Sequence, residues 1–229
     1  MKPSRYTSRT PRSLWIKPGR IPRLERLEQR DAPALDFAFA LGVGGEGNDS
    51  SGNIASDPSG NVVVAAGATG TNDYDPGPGV FNLTSAGGMD VLLGKYSANG
   101  NLIWAFKIGG TGDDTALSVT TDQQGNIYVG GAFQGTVDFD PGLGTTLFTS
   151  NGASDIFLAK YTSAGGLAWA RQMGGTGDDY ASHGLEVDSA GNVYAITRFS
   201  GTVDFDPLAG TNNIASAGSY DMAVVKLNS

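Results

Sequence analysis

The chain repeats one unit three times, and this repetition constrains its fold more than any other feature. A glycine-rich motif recurs at steps of 65 residues as Gly44-Gly45-Glu46-Gly47-Asn48-Asp49, Gly109-Gly110-Thr111-Gly112-Asp113-Asp114 and Gly174-Gly175-Thr176-Gly177-Asp178-Asp179. Later landmarks keep this spacing, except for one extra residue in the third copy between Asp179 and Gly191. Self-similarity at a fixed period indicates a repeat architecture. The repeats therefore span about 44–108, 109–173 and 174–229.

Each unit is predicted to form four antiparallel β-strands. In the second copy these strands cover residues 116–121, 127–133, 156–161 and 167–173. They alternate in polarity or are rich in β-branched and aromatic residues, and Gly/Asn-containing turns separate them. Four antiparallel strands per repeat define a β-propeller blade. A blade usually takes about 40–50 residues, so we assign the excess to the Gly/Pro/Asp-rich loop between the second and third strands.

The two ends of the repeat region are offset by one strand. Phe39 lies 65 residues before Trp104 and Trp104 lies 65 before Trp169, so Leu35 to Val43 is predicted to be a fourth-type strand without its own blade. The third repeat stops after its third strand, and strand 35–43 would complete it and hide its edge. The recurrent Trp104 and Trp169 are interpreted as core between blades rather than as sugar-stacking platforms.

The expected fold is an all-β, propeller-like array of three four-stranded blades. Propellers contain about four to eight blades, so three blades leave the ring incomplete. We consider a partial propeller within a longer array, a ring completed by a homo-oligomer, and another all-β arrangement such as a compact three-bladed closure.

The motifs of the unit resemble those of a known family. Gly-Asn-[Ile/Val]-Tyr, Gly-Thr-Val-Asp-Phe-Asp-Pro, Trp-Ala and Gly-Gly-Thr-Gly-Asp-Asp are similar to the bacterial β-propeller repeat (SBBP-type) family over residues 35–229. The first copy departs from the pattern at Val63 and Asn48. The resemblance implies a repeat scaffold of large, secreted or cell-surface bacterial proteins, without catalytic residues.

Residues 1–34 differ in character from the repeats. They form a basic leader with nine of the fifteen Lys and Arg residues, whereas the remaining chain holds six basic and twenty acidic side chains. Residues 23–34 are similar to a stretch that opens many planctomycete exported proteins, which implies export. The leader lacks the apolar core of a standard signal peptide. It is interpreted as a short helix with Ile21, Leu24 and Leu27 on one face, or as a disordered arm.

Composition excludes several classes of function. An acidic body is a poor nucleic-acid binder because phosphate contacts need a positive field. No apolar run approaches the roughly 18 residues of a membrane span. The absence of Cys excludes disulfides and thiolate metal sites. His183 is the only histidine, which argues against a Ser-His-Asp triad and is interpreted as a surface residue.

Paired acids in the long loop of each unit are the candidate metal ligands. Carboxylates at this spacing could hold calcium, which takes six to eight oxygen ligands, and the candidates are Asp73, Asp75, Asp138, Asp140, Asp204 and Asp206. The alternative is structural, since Asp before Pro is a common turn former. The Gly-Gly-Thr-Gly-Asp-Asp motif also echoes a calcium nonapeptide, but that motif needs a nine-residue period. It is therefore interpreted as a turn between blades.

The sequence leaves two functional hypotheses. The first is a non-enzymatic scaffold, secreted or on the cell surface of a bacterium, that binds a protein or glycan through blade loops, with a calcium-stabilised adhesion module as a variant. The second is a carbohydrate-active enzyme with acidic residues near the propeller channel. Acids that recur in every blade favour the scaffold, whereas a carboxylate pair confined to one blade would favour the enzyme.

Overall fold

Each sequence repeat forms one antiparallel sheet of long strands and one small sheet of short strands. The computed structural model describes residues 37–229 apart from the side chains of Ser182 and His183. The first repeat contains β1 (Gly44–Gly45), β2 (Asp49–Ser56), β3 (Val62–Ala68), β4 (Thr71–Asp73), β5 (Asn82–Thr84), β6 (Asp90–Tyr96) and β7 (Leu102–Ile108). The second contains β8 (Thr115–Thr121), β9 (Ile127–Phe133), β10 (Thr136–Asp138), β11 (Leu147–Thr149), β12 (Asp155–Tyr161) and β13 (Leu167–Met173). The third contains β14 (Tyr180–Val187), β15 (Val193–Phe199), β16 (Thr202–Asp204), β17 (Asn213–Ala215) and β18 (Asp221–Leu227).

The long strands follow the predicted blade order. Hydrogen-bonded neighbours run β2-β3-β6-β7 in the first blade, β8-β9-β12-β13 in the second and β14-β15-β18 in the third, and every pair is antiparallel. The described residues contain no helix. The predicted all-β, propeller-like fold is therefore confirmed.

The loop between the second and third strands is more ordered than expected. It folds into a small extra hairpin in each repeat, formed by β4–β5, β10–β11 and β16–β17. A glycine with φ near +70° starts each hairpin, at Gly70, Gly135 and Gly201, because this left-handed conformation suits glycine best. A threonine pair, Thr136 and Thr149, links the hairpin of the second blade across its strands at 2.8 Å. These short strands could not be predicted from the sequence, because three residues are too few to show the two-residue alternation of a strand.

The blades pack face to face through apolar side chains. On β12, Phe157, Ala159 and Tyr161 belong to one core cluster, which also contains residues of the first blade. Ile156 and Leu158, on the opposite face of the same strand, belong to a cluster shared with the third blade. The innermost strands β2, β8 and β14 contact one another in sequence. Both faces of the central blade are therefore core.

The third blade has three long strands, and the predicted fourth strand is not formed. Residues 37–43 have no strand assignment, and within 37–229 no strand pairs with the outer edge of β18. Instead, a methyl group built on Gly100 of the first blade would lie 2.9 Å from Leu41 and 3.5 Å from Phe39. The segment lies beside the first blade because its apolar side chains cover the turn between β6 and β7.

Two other expectations fall outside the described parts of the chain. The basic leader 1–34, with its export resemblance and its Ile21/Leu24/Leu27 face, lies outside the described residues, as does the His183 side chain.

The extra residue of the third copy lies in β14, where the pairing with β15 shifts register between Ala181 and Leu185. Residues 37–229 include no helix long and apolar enough to traverse a bilayer.

The packing between blades makes Phe157 a sensitive position. Its ring is fully buried and lies 5.1 Å from the ring of Phe139. We expect Phe157→Ala to lower the free energy of unfolding by about 3–5 kcal/mol, because the core cannot collapse around the cavity. Urea unfolding measures this loss. The fully exposed Leu143 is the control, since Leu143→Ala should change stability by about 0.5 kcal/mol or less. Equal small effects at both positions would contradict packing through Phe157.

Candidate functional site

The paired acids of the long loops bind backbone amides of their own loops. In the second repeat, Asp138 Oδ1 accepts hydrogen bonds from the amides of Asp140 at 3.0 Å and Thr146 at 2.8 Å, and Asp140 Oδ1 accepts one from Gly142 at 2.8 Å. The same three bonds recur from Asp75 and Phe81 to Asp73 and from Gly77 to Asp75, and from Asp206 and Asn212 to Asp204 and from Leu208 to Asp206. The acids therefore shape the loop that follows each small hairpin strand.

These bonds also affect protonation. The amides of Phe81 and Asp75 hold the pKa of Asp73 below its ordinary value, and the amides of Asn212 and Asp206 do the same for Asp204. Within residues 37–229, no three Asp, Glu or His side chains come together as a metal-binding group. Calcium binding at these loops stays a prediction.

The glycine-rich motif forms the turn between blades that the sequence predicts. It connects β7 to β8, and its buried Asp114 accepts hydrogen bonds from the amides of Gly110 at 2.8 Å and Gln134 at 3.0 Å. Burial raises the pKa of Asp114 to about 6, and the nearby charges of Asp90 and Asp113 act in the same direction. Asp179 repeats this arrangement at the next junction. An acid that recurs in this way is part of the repeat architecture.

At the opposite end of the strands, Asp and Lys join neighbouring blades. Lys95 Nζ lies 2.9 Å from Asp57 and donates a hydrogen bond to the Ser163 carbonyl, in the second blade, at 3.1 Å. Burial opposes the charge on Asp57, but hydrogen bonds from Asn61 and Lys95 outweigh it and lower the pKa of Asp57 to about 2. Both charged side chains are almost fully buried.

A cavity of about 410 Å³ lies between the innermost strands of the three blades. Its lining comes from β2, β8 and β14 and comprises Asn53, Ile54, Ala55, Ser56, Ser118, Val119, Thr120, Thr121, Leu185 and Glu186. Glu186 is the single carboxylate in this lining. Glycosidases work with two carboxylates that flank the scissile bond, and this cavity does not provide the pair that the enzyme hypothesis needs.

The repeat symmetry breaks at the outer side of the junction between the second and third blades. At the first junction, Phe106 stacks on Trp104 with ring centroids 5.2 Å apart and also contacts Tyr161 at 5.0 Å. The equivalent positions at the second junction hold Arg171 and Leu227. Two aromatic rings are thereby replaced by a guanidinium and a smaller aliphatic side chain.

This replacement coincides with a groove of about 490 Å³, which we call the Arg171 groove. Its lining is Trp169, Arg171, Phe205, Asp206, Pro207, Leu208, Asn212, Lys226, Leu227, Asn228 and Ser229. The Arg171 guanidinium lies 5.6 Å from the Trp169 ring, and Lys226 and Leu208 are exposed. Ligand pockets have volumes of about 300–1,000 Å³ and mix apolar walls with a few polar groups. The Arg171 groove has this composition.

The structure thus brings one predicted metal ligand, Asp206, to the groove and none of the other five. Asp206 lines the Arg171 groove, and Asp204 lines an adjoining cavity of about 400 Å³. Trp169 is half-buried against the core cluster of the third blade and still reaches the groove wall. Sequence reasoning missed Arg171, although an alignment of the three repeats shows Leu41, Phe106 and Arg171 at one position.

Comparisons with known proteins point to propeller-type repeats. No protein-family profile matches the chain. The chain is similar to the uncharacterized WD repeat-containing protein L264 of Acanthamoeba polyphaga mimivirus, with 32% identity over 162 residues, which cover 64% of this chain and 11% of that protein. It is also similar to the regulatory protein FlaEY of Caulobacter vibrioides, with 29% identity over 139 residues, which cover 59% of this chain and 14% of that protein. The chain therefore spans a small part of each relative's length.

WD repeats are one of the repeat kinds that build β-propellers. The present unit lacks the Trp-Asp dipeptide and is longer, at 65 residues, than the WD unit of about 40–45. The similarity to these relatives supports a non-enzymatic repeat scaffold.

The buried ion pair of Lys95 and Asp57 leads to a prediction for two matched variants. Lys95→Met should destabilise the protein by about 3 kcal/mol, because it leaves Asp57 buried without its partner. The equivalent Lys226 is exposed, so Lys226→Met should change stability by about 0.5 kcal/mol or less. Urea unfolding at pH 7 measures both.

The stability loss in Lys95→Met should depend on pH. The pKa of Asp57 falls from 3.8 to about 2 on folding, so the stability from its charge is present above pH 3.8 and is lost as the pH falls through 2. The stability gap between wild type and Lys95→Met should therefore narrow between pH 4 and pH 2. A gap that stays constant over this range would contradict the ion pair.

Calcium binding at the acidic loops makes a separate prediction. Binding to the folded state would raise the unfolding midpoint in millimolar CaCl₂, and EDTA would reverse the rise. Differential scanning calorimetry of wild type and of Asp138→Asn/Asp140→Asn measures this effect. A midpoint that neither CaCl₂ nor EDTA changes would exclude calcium from these loops.

Proposed function

We propose that the chain is a non-enzymatic repeat scaffold that binds a protein partner in the Arg171 groove. The observation that carries the proposal is the local loss of repeat symmetry. Residues that only maintain a blade should recur in each copy, as Asp114 and Asp179 do. Arg171 and Leu227 depart from the aromatic packing of the first junction at the position where the groove lies.

The chemistry of the groove fits a protein segment that carries an acidic residue beside an apolar one. Arg171 and Lys226 supply positive charge on an otherwise acidic body, and Trp169 and Leu208 supply apolar surface. Trp and Arg are the residue types most enriched among side chains that dominate binding energy at protein interfaces. Arg171 uses Nη1 to bond the Ala170 carbonyl, and its other N–H groups leave donors for a carboxylate.

A glycan is the second candidate ligand, and Trp169 is the feature that favours it. The indole ring of Trp169 lines the groove next to Asn212 and Asp206, and these polar side chains could bond sugar hydroxyls. The carbohydrate-active enzyme is less well supported, because the central cavity offers Glu186 without a second carboxylate in its lining.

The assignment to a repeat family and to a location in the cell rests on sequence resemblance. We propose that the repeat is of the SBBP type and that the protein works outside the bacterial cell or on its surface. A calcium-stabilised adhesion module is the variant of this proposal that depends on the acidic loops.

The proposal predicts that replacing Arg171 with the residue found at the first junction weakens binding. Arg171→Phe places in the groove the residue found at the equivalent position, Phe106. We expect it to weaken binding at least tenfold, which corresponds to about 1.4 kcal/mol, while stability stays equal or rises. The ligands are peptides selected on the wild-type chain from a random 12-residue phage library, and affinity is measured by isothermal titration calorimetry.

Two further variants complete the design. Phe106→Leu changes the matched position at the first junction and should leave peptide binding unchanged. A printed glycan array tests the second candidate, and its signal should disappear in Trp169→Ala. A library that yields no peptide blocked by Arg171→Phe would contradict the protein-binding proposal, and a glycan signal sensitive to Trp169→Ala would then favour the glycan.

A further inference from the structure

The third blade exposes a sheet face that is core in the other two blades. We call this the trailing face. In the first blade its β6 residues Val91 and Leu93 are both 0% exposed. In the second blade the equivalents Ile156 and Leu158 are 0% and 1% exposed. In the third blade the equivalents on β18 are Met222 and Val224, which are 68% and 71% exposed.

The first blade exposes part of the opposite face, which we call the leading face: its innermost strand β2 is open, whereas Leu92 and Tyr96 on β6 of the same face are 4% and 2% exposed. Val119 on β8 and Leu185 on β14 occupy equivalent positions on the innermost strands, and each is 6% exposed because it packs against the preceding blade. Their equivalent on β2 is Ile54, which is 64% exposed. Among residues 37–229, the trailing face of the third blade and the β2 part of the leading face are therefore both left open, and these surfaces are repeat equivalents of the two sides of one blade interface.

Residues 38–43 are placed as the fourth strand of a blade that would precede the first. At the junction of the first two blades, a methyl group on Gly165 would lie 3.2 Å from Trp104 and 3.5 Å from Phe106, both on the fourth strand β7. Phe39 and Leu41 have the same relation to Gly100, at 3.5 Å and 2.9 Å. The segment therefore lies where β7 lies relative to the second blade, and residues 37–229 supply no other strand at that position.

We propose that the third blade of one chain docks its trailing face on the leading face of a second copy, and that residues 38–43 of the second copy pair with the free edge of β18. A second copy of the chain is the expected partner, because the two open surfaces are repeat equivalents of surfaces that already pack together between the blades of one chain. The inference does not depend on the ligand of the Arg171 groove.

Two chains are the number that closes this arrangement. A head-to-tail contact either closes into a ring or propagates as an open polymer. Two copies give six blades, which lies within the range of about four to eight found in propellers. Each third blade then gains its fourth strand, and the exposed parts of the trailing and leading faces become buried.

The pairing register follows from the blades already formed. In the second blade Ala159 of β12 lies opposite Ala170 of β13, and in the first blade Gly94 lies opposite Ala105. The repeat equivalents are Val225 on β18 and Ala40 in the N-terminal segment. Ala40 of one chain is therefore expected opposite Val225 of the other.

The first test is the solution mass of the full chain. Sedimentation velocity between 1 and 100 µM should show a species of twice the 23.6 kDa chain mass. Val224→Asp on the trailing face and Ile54→Asp on the leading face should each shift the protein to monomer at 10 µM. Leu143→Asp is the matched control, since it places the same charge at another exposed apolar residue and should leave the dimer intact. Circular dichroism verifies that each variant is folded.

The second test distinguishes head-to-tail docking from contact between two like faces. Mixing Val224→Asp with Ile54→Asp leaves one intact trailing face and one intact leading face, so the mixture should form a heterodimer although neither variant dimerises alone. Wild type that stays monomeric at 100 µM, an open polymer, or a mixture that stays monomeric would each overturn the proposal.

The third test traps the strand pairing. The chain has no Cys, so a disulfide can form only between introduced residues. Oxidised Ala40→Cys/Val225→Cys should run as a covalent dimer on a non-reducing gel, and Ala40→Cys/Leu143→Cys should not. Failure of the first pair to cross-link in a chain that dimerises would overturn the pairing of residues 38–43 with β18.

Discussion

Burial of both faces of the central sheet is the constraint on which the rest of the structure depends. Strand β12 shows it most directly, because Phe157 faces the core shared with the first blade and Leu158 faces the core shared with the third. A sheet with two apolar faces cannot stand alone in water, and repeat units of this kind gain stability by stacking on their neighbours. The strands therefore depend on contacts with the neighbouring blades.

Most of the architecture could be predicted from the sequence because the repeat period reports on it three times. The four long strands of the second blade were predicted within one residue of β8, β9, β12 and β13. Ambiguity in one copy, such as Val63 in place of Tyr, was resolved by the other two. The small hairpins were not predictable in this way, since three-residue strands carry no measurable period and their formation depends on the left-handed glycines Gly70, Gly135 and Gly201.

The candidate site was only partly accessible from sequence. The acids of the long loops stand out by type and spacing. In the structure their carboxylates accept hydrogen bonds from backbone amides of the same loop, as Asp138 does from Asp140 and Thr146. Arg171 was overlooked because a single basic residue on an outer strand has no local signal. Arg171 becomes a candidate only when it is compared with Phe106, which stacks on Trp104 at the first junction, and when the groove beside Trp169 is seen.

Repetition also determines which residues can be interpreted as functional in this fold. A side chain that occurs in every blade, such as Asp114 and its equivalent Asp179, is explained by the turn that each blade needs, even though burial raises its pKa. A side chain found in one blade has no such explanation and must be accounted for by its surroundings. By this criterion a raised pKa, which would mark a catalytic acid in a non-repetitive enzyme, is here a property of the scaffold. The proposed binding site therefore rests on the departure at Arg171 and not on any of the recurrent acids.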